Sequence, residues 1–163
     1  MQNVSEIKGE PVVGRFAADF MLGRLAKWLR IVGQDVIYGR HLTGYGLIRA
    51  ARAENRLILT RDRSLKKKQP PRFIFIESDQ FREQLAQVIK ACGLTVGDNV
   101  FTRCVECNSV LQTRSKETVE KVVPEYVFST QEKFSWCPVC RRIYWPATHL
   151  QKMLQELKNL GIG

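Results

Sequence analysis

No stretch of this sequence approaches the roughly 18 consecutive apolar residues of a membrane span, and its opening residues, MQNVSEIKGEP, hold no apolar secretory core. The protein therefore reads as cytoplasmic, with no membrane partner. There is no internal repeat and no low-complexity segment, which sets a repeat array aside. Acid is in short supply: 16 Asp and Glu stand against 26 Lys and Arg, for a net charge of +10 and a pI near 9.7. A field of that sign concentrates phosphate-bearing ligands, so a polyanion is the expected partner. Cysteine is nearly missing from the first hundred residues, where only Cys92 occurs, while the other four lie beyond. That shift divides 163 residues into an expected α/β unit over 12–95 and a cysteine-bearing unit over 100–163.

What is present begins with Phe16 to Arg30, FAADFMLGRLAKWLR. Val12, Val13, Phe16, Ala17 and Ala18 suit a buried strand, and Asp19 follows at its tip. Met21, Leu22, Leu25, Ala26, Trp28, Leu29 and Val32 then share one helical arc, with Arg24, Lys27 and Arg30 as a cationic stripe opposite and Gly33 as the stop. Asp19 is placed either to cap this helix or to hold a metal beyond the carboxyl end of a strand. Asp35–Tyr38, Arg56–Thr60 and Arg72–Ile76 read as further strands. A glycine-rich loop with His41 follows the first of these, and a helix is expected over 47–53. Arg61-Asp62-Arg63 repeats the arrangement at Asp19, and Glu77-Ser78-Asp79 ends the last strand. Ser78 or Asp79 could cap a helix bearing Phe81, Leu85, Val88 and Cys92 on its buried face, which makes Cys92 a core residue. Alternating strands and helices favour a mainly parallel sheet covered on both faces. Asp19, Asp62 and Glu77 or Asp79 could then share one edge, as metal-assisted phosphodiester cleavage through Mg²⁺ or Mn²⁺ requires.

Cys104-Val-Glu-Cys107 and Cys137-Pro-Val-Cys140 enclose residues 108 to 136. Two such knuckles complete a closed tetrahedral Zn²⁺ site, structural rather than catalytic, and metal binding would then supply much of the folding free energy of so small a unit. His149 is a further potential ligand that four cysteines make unnecessary. Arg141, Arg142, Tyr144, Trp145 and His149 mix cations with aromatics as nucleic-acid surfaces do, although Tyr144 and Trp145 would equally serve as the ribbon's core. The closing helix, with Leu150, Met153, Leu154 and Leu157 on one face, seals the ribbon or docks it on the first unit.

The runs DFMLGRLAKWLRIVGQDVIY, RLILTRDRSL, CVECN and WCPVCRRIYWPATH resemble, in that order and over about residues 15 to 155, the Mut-seven C-terminal-type RNase family. The resemblance implies a PIN-like α/β/α sandwich followed by a zinc ribbon, and a metal-dependent ribonuclease whose acidic positions fall on Asp19 and Asp62. It also implies one or more acids opening the helix after the second strand, where this chain has Thr43-Gly44-Tyr45-Gly46. Asp35, Glu54, Glu77 and Asp79 are the candidates to make good that loss. Arg24, Lys27, Arg30, Arg61 and Arg63 would guide RNA, with Arg141 and Arg142 on the ribbon. The rival readings are an RNA-binding protein on a degenerate scaffold without turnover, and a zinc-ribbon adaptor for a protein partner.

Overall fold

The computed structural model describes residues 14–161; Val12 and Val13, expected in the first strand, lie outside them. Four short strands, β1 (Arg15–Ala18), β2 (Asp35–Tyr38), β3 (Leu57–Thr60) and β4 (Phe73–Phe75), form one sheet in the order β2-β1-β3-β4, and every pairing is parallel. Side chains alternate across it. Phe16, Ala18, Val36, Leu57 and Leu59 enter the core beneath α1 (Gly23–Ile31) and α3 (Phe81–Cys92), whereas Ala17 and Ile58 enter the core beneath α2 (Gly44–Ala53). A strand buried on both faces has no polar side to offer, which is why β3 reads as an unbroken apolar run. The result is the expected three-layer α/β/α sandwich.

Helix α1 carries the larger core. Leu22, Leu25, Ala26, Leu29 and Val32 are buried against the sheet, and full burial of one such leucine contributes about 1.5–3 kcal/mol. Gly33 ends the helix with φ at +88°, and a Cβ there would collide with the backbone of Asn99. Residues 97–101 can thus close over the helix end, where Phe101 N–H donates to Ile31 O at 2.8 Å. Cys92 packs at the edge of this core, where burial pushes its thiol up to about 11.

Beyond residue 100 a three-stranded antiparallel ribbon, β5 (Gln112–Arg114), β6 (Phe134–Trp136) and β7 (Ile143–Tyr144), encloses a short helix, α4 (Glu125–Thr130). Its core is small: Val119, Val123 and Phe134, with Val127, Phe128, Ile143 and Trp145 packed around them. Trp145 is thereby a ribbon core residue. The closing helix α5 (Thr148–Asn159) turns Met153, Leu154 and Leu157 into the α1/α3 core rather than into the ribbon.

Two expectations shift. Helix α2 begins at Gly44, three residues before the apolar periodicity starts at Leu47. Helix α3 begins after Gln80, so neither Ser78 nor Asp79 is its cap, although Ser78 Oγ accepts the Gln80 N–H at 3.0 Å.

Candidate functional site

The strand order reverses at β1. The chain leaves β1 towards β2 on one side and returns through α2 to β3 on the other, so the carboxyl ends of β1 and β3 flank the topological switch point, where ligands of open α/β sheets bind. Asp19 follows β1 and Asp62 stands two residues past β3. Thr60 joins them: its hydroxyl donates to Asp19 Oδ2 at 2.8 Å and accepts the Asp62 N–H at 2.9 Å. Asp19 is 1% exposed and also caps the 3-10 turn Phe20–Leu22 through the Met21 N–H at 3.4 Å. Asp62 is half-buried and accepts the Ser64 N–H at 2.8 Å. The hydrogen bonds of Ser64 hold its carboxyl below the ordinary range, so it is anionic at neutral pH. Capping and cation binding were alternatives in the sequence; both acids do cap, and each retains carboxylate oxygen capacity beyond its cap.

The other acids divide by sheet edge. Asp35 opens β2 at the amino edge, opposite Asp19 and Asp62. Its carboxylate is held by Arg56 Nη1 at 2.7 Å and by Asn108 Nδ2 at 2.7 Å. Burial works against the charged form of Asp35, but those hydrogen bonds outweigh it and its carboxyl lies below the usual range. Glu54 is engaged by the same Arg56, at 2.6 Å, and by Arg15. Neither can stand in for the missing acid. Glu77 and Asp79 follow β4 on the carboxyl edge and are exposed, and Arg61 donates to the Glu77 carbonyl at 3.3 Å. No acid joins Asp19 and Asp62 in a group of three close potential ligands among the described residues.

Cations surround this edge. Arg61 is half-buried and Arg63 exposed, and the 3-10 turn Arg63–Lys68 adds Lys66, Lys67 and Lys68. Arg24 is exposed, its guanidinium 3.7 Å from the Phe81 ring centre; Lys27 is exposed but paired with Glu106 at 2.9 Å. Arg30 departs from the expected stripe. It is 4% exposed and donates to Val36 O at 2.9 and 2.8 Å, to Val105 O at 2.8 Å and to Glu106 O at 3.0 Å. Its guanidinium is consumed in tying α1 and β2 to the first cysteine knuckle, so it is not an RNA-guiding residue. Helical spacing alone hid this, because the knuckle that covers Arg30 arrives 75 residues later in the chain.

The four cysteines converge as expected. The Sγ atoms of Cys104, Cys107, Cys137 and Cys140 all lie within 4.8 Å of one another. A tetrahedral Zn²⁺ with Zn–S of about 2.3 Å spaces its sulfurs about 3.8 Å apart, so the donor set could hold a metal such as zinc. Burial opposes ionisation of Cys107, but hydrogen bonding with Ser109 outweighs it and brings the thiol down to about 6. Tyr144 Oη lies 3.0 Å from Cys104 Sγ, so this ring supports the cysteine site instead of standing free for bases. His149 is exposed and is not among the clustered ligands; Arg141 and Arg142 are exposed beside the second knuckle.

Fold and sites together define a doubly wound α/β protein with paired strand-end carboxylates and a four-cysteine ribbon. The chain belongs to the Mut7-C RNAse domain family, whose model matches residues 14–157. A comparison with curated proteins gives no match. Among the described residues no helix is long and apolar enough to cross a membrane.

Proposed function

We propose that the protein cleaves RNA at the crevice between the carboxyl ends of β1 and β3, with Asp19 and Asp62 holding Mg²⁺ or Mn²⁺. The observation that carries this reading is the Thr60 hydroxyl, which donates to the Asp19 carboxylate and accepts the Asp62 backbone N–H, and so ties the two acidic residues to one another at the switch point. The ion would activate water and neutralise phosphate charge. The chain's own groups do the rest. Thr60 orients Asp19, Ser64 keeps Asp62 charged, and Arg61, Arg63 and Arg24 attract and position the RNA backbone. Glu77 and Asp79, on the same edge, are the acids available for a third contact once Asp35 and Glu54 are committed to Arg56. Zn²⁺ on the four cysteines is structural, because they fill its tetrahedron and leave no open position.

A second reading has its own support. The only group of three or more close potential metal ligands among the described residues is the cysteine set, and two carboxylates hold Mg²⁺ weakly. RNA binding without turnover would follow. Cleavage of single-stranded and structured RNAs in Mg²⁺ or Mn²⁺, with binding measured in the same samples, separates the two. Cleavage that Asp19→Asn and Asp62→Asn abolish with binding retained establishes the ribonuclease; binding without cleavage by the parent establishes the alternative.

A further inference from the structure

The place of the missing acid is not empty of chemistry. Helix α2 opens on the carboxyl edge with Gly44 and Tyr45, and Tyr45 is 64% exposed, a large ring that the fold leaves in solvent. Lys68, reaching over from the turn that follows Asp62, sets its ammonium 5.5 Å from the centre of that ring. Gly44 leaves room for this approach: a Cβ there would stand 3.2 Å from Lys68 Nζ, and the lysine end would have to give slightly. Lys68 also acts electrostatically on Asp62. An aromatic face and a cation therefore meet on the carboxyl edge, with the Asp62 carboxylate within electrostatic reach of the cation. On the neighbouring turn, held to the β2–α2 loop by Phe20 N–H donating to Leu42 O at 3.3 Å, Phe20 and Met21 are also about half exposed. Apolar surface exposed in so basic a setting is suited to a ligand that carries both flat rings and phosphates.

We propose that Tyr45 and Lys68 form a nucleotide subsite for single-stranded RNA beside Asp62, the base stacking on the free face of the Tyr45 ring and the adjoining phosphate meeting Lys68. This rests on the crevice being the RNA site. A paired base has its faces covered by its neighbours in the duplex, whereas an unpaired base can stack on a side chain. The subsite therefore selects single strands. With Lys68 reaching over to Tyr45, this corner holds phosphate directly instead of through an ion.

The test measures binding of a fluorescently labelled eight-nucleotide RNA and of the same sequence as a duplex, without added Mg²⁺ or Mn²⁺, so that nothing is cleaved. Tyr45→Ala is expected to weaken single-strand binding roughly 5- to 150-fold and to leave duplex binding unchanged, while Tyr45→Phe retains the single-strand preference. Lys68→Met is expected to lower the slope of log affinity against log salt by about 0.7, and Lys68→Arg to preserve it. Equal thermal unfolding of the variants shows that the fold is intact. Unchanged single-strand binding by Tyr45→Ala, or an equal loss for strand and duplex, overturns the subsite. A parent protein that never cleaves, but shows the Tyr45 and Lys68 effects, removes the ribonuclease reading and leaves the subsite standing. Cleavage that depends on Asp19 and Asp62, with Tyr45→Ala binding like the parent, does the reverse.

Discussion

Replacing Arg30 with methionine should destabilise the protein without acting on RNA contacts directly. Methionine keeps much of the apolar stem and deletes the guanidinium, which makes four hydrogen bonds to the carbonyls of Val36, Val105 and Glu106. Val36 is fully buried, so its orphaned carbonyl has no water to turn to; an unsatisfied buried acceptor costs about 1–3 kcal/mol. The two knuckle carbonyls are nearer solvent, where water can replace the lost donor, and each bond lost there should cost about 1 kcal/mol. The sum is about 3–5 kcal/mol, and for a chain of this size that lowers Tm by roughly 6–20 °C. Thermal unfolding measures it, with release of metal to a coloured chelator followed in parallel. A stripe arginine on the surface would behave oppositely, with Tm unmoved and RNA affinity reduced. A Tm for Arg30→Met equal to the parent's would refute the clamp.

Elemental analysis should find about one zinc per chain, and its removal should unfold the ribbon, whose own core is slight; circular dichroism during chelation reads the loss. Thr60→Val keeps shape but removes the hydroxyl between Asp19 and Asp62, with an expected cost of about 1–3 kcal/mol and a fall in RNA cleavage; denaturant unfolding with wild-type stability would show that the bridge contributes nothing. Asp35, whose folded pKa is depressed, contributes stability that is present above the unfolded value near 3.9 and is lost as pH falls through the lower folded value. Scans of Tm between about pH 5 and pH 2 should therefore fall less steeply for Asp35→Asn than for the parent, from a lower starting Tm.

The architecture was legible because its signals are local. Arg56–Thr60 is the clearest strand of the sequence, a continuous buried run, and the spacing of the two CxxC pairs points to the four-cysteine cluster that the fold brings together. Asp19 and Asp62 could be placed at strand tips, and their adjacency follows once β1 and β3 pair. What stayed hidden depends on segments far apart in the chain. Thr60 reads as no more than the last residue of an apolar strand, yet its hydroxyl bridges the Asp19 carboxylate and the Asp62 N–H. Arg30 keeps the period of Arg24 and Lys27 yet meets Val105, and Tyr144 suits base stacking or the ribbon's core equally well in sequence, whereas its hydroxyl lies beside Cys104. Lys68 was one cation in a basic run until the fold carried it to Tyr45. Asp35 and Glu54 were plausible stand-ins for an acid until the sheet put them at its opposite edge.

The attachment of the first knuckle to β2 has a consequence for solubility. Strand β2 is at the border of the sheet, where a bare backbone invites pairing with another chain. Here the Val36 N–H is taken by Asn108 Oδ1 at 3.0 Å and its carbonyl by Arg30. Asn108 adjoins Cys107, so the cover over this border is organised by the same loop that presents the first two cysteine sulfurs. If the four cysteines carry the proposed zinc, stripping it would do more than loosen the ribbon. It would expose a strand edge on the α/β sandwich, and the metal-free protein should self-associate.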